Sequence, residues 1–175
     1  MSNGIFTLSY LNEEDKAYGL AGMAISLAAL DALDMVTEVS IDKVGPMVTF
    51  SHQYYFYSSS SPKLTWDNLL HNYYITSAMV LSNLMARSLV KHRQEIPYDL
   101  LEKVHSEIVK EGKESCSLEE DEIEALYSKT ASRMNRIFRN PRLHTAIDEF
   151  SRTITRRRTL SANEIIDELR ALSII

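Results

Sequence analysis

Asp67 and His71 stand one helical turn apart, a spacing at which a carboxylate orients an imidazole for acid–base work. The same spacing describes a plain surface ion pair. Glu102 and His105 have the Glu-x-x-His spacing that places both groups on one helix face, as in four-helix di-iron carboxylate sites. Such sites need a second pair and two further inward glutamates. This chain has one pair, and it flanks an apolar stripe instead of centring on it, which reads as a solvated face. The five histidines, His52, His71, His92, His105 and His144, show no His-x-x-x-His spacing and no pairing with the single cysteine, Cys116. No metal ligand set and no cofactor are therefore expected.

Nucleophilic chemistry has as little support. Ser58 to Ser61 form a polar run, but no Gly-x-Ser-x-Gly elbow occurs, and five glycines supply no phosphate-cradling loop. Gly19 and Gly22 lie inside an apolar helix-forming run. A helical enzyme of unknown reaction, built from His52, Asp67, His71 and neighbouring tyrosines, is the weakest of three functional readings.

The leading reading comes from aromatic density. Eight of the fifteen aromatic residues fall between Phe50 and Tyr74: Phe50, Tyr54, Tyr55, Phe56, Tyr57, Trp66, Tyr73 and Tyr74. Tyrosine joins an apolar ring to a polar tip and so suits a surface that is both packed and wet. Rings filling the core between two helices are the competing explanation. If the segment is a site, His52, Tyr54, Tyr55, Tyr57, Trp66 and His71 line a small-ligand pocket or a protein contact. The chain is then a non-catalytic binding or assembly protein, with a protein partner or a homodimer favoured over nucleic acid.

The second reading rests on charge. From Glu95 to Glu124 there are eleven acids against three lysines, and from Lys129 to Arg158 nine basic residues against two acids. A basic run of this size gathers phosphate. Arg133, Arg136, Arg139, Arg156, Arg157 and Arg158 are its candidate contacts. The formal net charge of −5 argues against a dedicated nucleic-acid binder, and acidic and basic segments that face each other would erase the patch.

The elements that must position these groups are helical. Few glycines and prolines favour long helices over an all-β chain, and 175 residues suffice for one domain with a core. The expected fold is all-α: a single-domain bundle of about six helices, with an aromatic-rich irregular loop after the first. The turn from Glu111 to Leu118 is the candidate subdomain boundary. Asn12 caps a first helix over about 13 to 39, whose Ala17 to Leu30 stretch is too short to span a membrane and is rich in small residues. Those residues predict a tightly packed internal helix or a dimer seam.

Met47 to Pro62 lacks helical period and, with no visible strand partner, reads as an ordered loop. Thr65 caps a second helix with Trp66, Leu69, Leu70 and Tyr73 inward, and Pro97 opens a third that ends near Gly112. Ser117 with Glu120 and Ser161 with Glu164 have capping-box spacing, and Asn140-Pro141 separates two helices. A lone cysteine and the absence of an apolar leader make the cytoplasm the expected compartment.

Overall fold

The computed structural model describes residues 9–55 and 61–175. Helix α1 (Glu13–Ala29) starts where Asn12 accepts the Asp15 N–H at 2.8 Å, with Glu13, Glu14 and Asp15 in the first turn. Every residue from Ala17 to Leu27 is buried, so α1 is the central helix of the bundle. Small residues make that position tolerable. A Cβ on Gly22 would lie 2.4 Å from the Ser82 carbonyl oxygen and 2.6 Å from the Ala86 Cβ.

The first helix stops about ten residues short of the expected 39. Asp31 adopts a left-handed φ of 53°, a 3-10 turn covers Leu33–Met35, and strand β1 (Val36–Ser40) follows. Val36, Thr37 and Val39 are β-branched and suit a strand better than a helix end. This strand is the partner that the alternating run after Pro46 lacked in the sequence reading. Strand β2 (Val48–Phe50) pairs antiparallel with β1 through Val39↔Val48 and Val36↔Phe50, and helix α2 (His52–Tyr55) follows it directly. The expected irregular loop is therefore a short strand and one helical turn as far as Tyr55; Phe56 to Ser60 lie outside the described residues.

Ser61, not Thr65, caps helix α3 (Pro62–Met85): its hydroxyl accepts the Leu64 N–H at 3.2 Å, and Pro62 fits the first turn. A π-turn over Ala86–Lys91 continues it. Helix α4 (Tyr98–Cys116) begins one residue after Pro97 and runs past Gly112. Ser117, in the left-handed region at φ 50°, closes α4 and cannot also start the next helix. Glu119 and Glu122 form the capping box of α5 (Glu120–Phe138), displacing the expected Ser117–Glu120 pair.

Asn140 caps α6 (Pro141–Arg157), and strand β3 (Thr159–Ser161) then leads into α7 (Ala162–Ala171). The sheet order is β2-β1-β3. The second expected capping box is present, with Ser161 and Glu164 each accepting from the other's backbone. Ser161→Ala is expected to lower stability by about 1 kcal/mol in urea unfolding, whereas Ser117→Ala should leave the start of α5 unaffected.

The fold class is all-α, a bundle of seven α-helices among the described residues with one small sheet. The helix beyond the expected six is the single-turn α2. Helix α1 packs on α3 and α6, and α3 packs also on α4 and α5. Phe138, Phe150, Ile147 and Met134 fill the centre and are wholly buried. The expected turn from Glu111 is helical as far as Cys116, and residues on either side of it join the same core, Val104 and Ile108 before and Ile123 after. Among the described residues, no helix is long and apolar enough to cross a membrane.

Candidate functional site

Strand β2 and helix α2 divide the aromatic segment into a buried part and an exposed part. Phe50 and Tyr54 stack with centroids 4.0 Å apart and planes 13° apart. Tyr54 is buried, its hydroxyl 3.3 Å from both the Asn72 carbonyl oxygen and the Thr76 hydroxyl, while Asn72 Nδ2 donates to the Tyr54 carbonyl at 2.8 Å. Burial pushes the Tyr54 phenol pKa up, against the opposing pull of the Thr76 hydrogen bond. This tyrosine is a clamp that holds α2 on the middle of α3.

Tyr55 is different. It meets Phe50 and Tyr54 edge-on, yet stays 56% exposed. Trp66 is 40% and Leu64 47% exposed, because all residues from Pro62 to Asp67 at the start of α3 lie on the surface. The inward stripe of α3 begins in full at Tyr73, and Trp66 does not belong to it. Tyr73 donates to the Ile108 carbonyl at 2.7 Å, and burial pushes its pKa up to about 12.

His52 opens α2 and is exposed, and so are Asp67 and His71, which no hydrogen bond or ion pair joins. Tyr57 lies outside the described residues. His105 meets Glu124 Oε1 of α5 at 2.6 Å and packs on Tyr127 with ring centroids 4.5 Å apart and planes 71° apart. Among the described residues, no cluster of three or more histidine, cysteine, aspartate or glutamate side chains could hold a metal ion. Cys116 is buried, and that burial raises its pKa and suppresses thiolate chemistry.

Most of the candidate phosphate-binding arginines are engaged within the protein. Arg139 grips Glu95 through two bonds of 2.7 and 2.5 Å, and Arg158 spans Asp42 and Glu13. Arg157 pairs with Glu164, and Arg133 donates to the Ala29 carbonyl at the end of α1 at 2.5 Å. Arg136 and Arg156 are exposed on different helices.

A second constellation, unmarked in the sequence, joins the start of α1 to the π-turn. Asp15 is 1% exposed, and its Oδ2 accepts from Arg87 Nε at 3.0 Å, Arg87 Nη2 at 2.7 Å and the Leu11 N–H at 3.1 Å. Arg87 lies 4.6 Å from the centre of the Tyr10 ring and donates to the Ser9 carbonyl. Oδ1 has no hydrogen-bond partner, although His92 Nε2 stands 3.4 Å and Lys91 Nζ 3.6 Å away. Burial alone would raise the Asp15 pKa, but the Arg87 and Leu11 hydrogen bonds and the charges of Arg87 and Lys91 outweigh it and hold the carboxyl below its ordinary value. Beside it a cavity of about 210 Å3 opens between α1, the π-turn and the start of α4.

No protein-family model matches this chain, and no curated protein matches it either. Function must be argued from these two constellations. Asp15 and Arg87 are 72 residues apart, and nothing local in the sequence pairs them. The one available signal was Arg87 itself, a charge in a run otherwise reading as core.

Proposed function

We propose that this chain is a non-catalytic binding or assembly protein whose contact surface is the start of α3 and the outer face of α2, with Tyr55, Leu64 and Trp66 as anchors. The observation that carries this reading is an exposed tryptophan and tyrosine on ordered helices. Three of the seven large hydrophobic side chains exposed among the described residues lie in this part of the chain. Tryptophan and tyrosine dominate the centres of protein interfaces, since a rigid ring buries much area at little entropic cost. Tyr54 supports the surface from below by fixing α2 to α3. Trp66 sits six residues before Asn72, about 9 Å along the helix axis from the point where α2 is clamped.

Tyr55→Ala and Trp66→Ala are expected to change unfolding free energy by no more than about 0.5 kcal/mol, as for surface positions, while removing association. A photo-crosslinking residue at the exposed position 63, one turn before Trp66 on α3 and introduced in the cells that make the protein, should join it to a second copy or to another protein. That product should vanish in Tyr55→Ala. Crosslinking no stronger than from position 136 on α5 would overturn the proposal, as would loss of folding in both alanine variants.

A further inference from the structure

The Asp15 cavity lies at the start of α1, apart from the Tyr55 and Trp66 surface, and two independent features mark it as a site. The first is a buried carboxylate oxygen with no hydrogen-bond partner. A buried acceptor without a hydrogen-bond donor is costly, more so when charged, and a ligand hydroxyl that donates to it relieves that cost. The second is the π-turn. Widening α3 by one residue per turn places Arg87, Lys91 and His92 together around one carboxylate, and π-turns recur at functional sites.

The lining selects the ligand chemistry. Asp15 is ionised at neutral pH and so is acceptor-only; the group that meets Oδ1 must donate. A cationic donor would enter beside the Arg87 guanidinium and the Lys91 ammonium, which already surround the carboxylate. An anion would meet Asp15 and Glu95. A neutral hydroxyl meets neither objection. Ser88 and Gln94 line the same cavity, and no hydrogen bond among the described residues engages either side chain. Leu84, Pro97 and Leu100 supply apolar wall. At about 210 Å3 the space falls below the roughly 300–1,000 Å3 of drug-sized pockets.

We propose that this cavity binds a small neutral hydroxylated molecule, a polyol or monosaccharide, with one hydroxyl donating to Asp15 Oδ1 and others bonded to Ser88 and Gln94. His92 is the gate. Its ring stands 3.4 Å from Oδ1 with its side chain 38% exposed, and it swings outward when a hydroxyl takes its place.

The test uses the whole protein and saturation-transfer NMR against glycerol, ribose, glucose and myo-inositol at millimolar concentration, with methylammonium and acetate as charged comparators. At least one polyol is expected to bind and to move the His92 ring-proton resonances. Ser88→Ala and Gln94→Ala, which break no hydrogen bond within the protein, are each expected to weaken binding roughly two- to tenfold. Binding by methylammonium or acetate alone overturns the proposal. So does an absence of polyol binding, or binding that neither substitution changes. Because Tyr55 and Trp66 take no part here, failure of this proposal leaves the contact surface untouched, and the reverse also holds.

Discussion

Asp15→Ala is expected to lower the unfolding free energy by about 3–5 kcal/mol, the cost of removing one partner from a buried ion pair. Arg87 is 9% exposed, and two of its three nitrogens bond the Asp15 carboxylate. Without that carboxylate its charge remains between Tyr10, Ser9 and the core. Urea unfolding should show a lower midpoint at unchanged slope. Replacing both partners, Asp15→Leu with Arg87→Met, should recover part of the loss, because it removes the desolvated charge as well as the pair.

The same pair fixes the acid side of the stability profile. The folded Asp15 pKa lies below its unfolded value, so the folded state binds this proton less readily. Its stabilisation is complete above the unfolded pKa and is lost as pH falls through the folded one. In Asp15→Ala this component of the acid transition should be absent. Tyr73 works in the opposite direction at high pH. Its folded pKa of about 12 exceeds the ordinary 10.0, so its contribution is complete below 10.0 and fades as pH rises towards 12.

Gly22→Ala carries the next largest expected effect. The added Cβ would meet the Ser82 carbonyl at 2.4 Å, a backbone atom that no rotamer change can move. Helices α1 and α3 must separate or shift, and overpacking of this kind costs about 1–3 kcal/mol. A circular-dichroism melt should show the lower midpoint with helical content retained. Gly45 is the contrasting position: space there is open, and only its φ of +114° opposes a side chain.

What was legible in the chain was local. The Asn12 cap, the Ser161–Glu164 box and the Asn140-Pro141 break depend on residues within one or two turns, and all are present. The largest departure lies where distant segments decide, and the cap errors where neighbouring residues compete for one turn. Val36 to Ser40 became a strand because β2 and β3 supply its hydrogen bonds from about 10 and 120 residues away. Ser117 and Glu119 compete for a short turn, and the left-handed closure of α4 settles which one starts α5.

The candidate site was half legible for the same reason. Composition marked the aromatic segment, but Tyr54 and Tyr55 are adjacent and chemically identical; only the packing of α2 on α3 buries the first and exposes the second. By itself the sequence determined an all-α bundle, its main helices and the Asn12 and Ser161 caps, because helix signals act over a few residues. Tertiary structure alone decided that Asp15 meets Arg87 and that the arginines of the basic segment mostly find partners within the protein. A charge's partner is set by where the chain returns in space, and no spacing along the sequence records that.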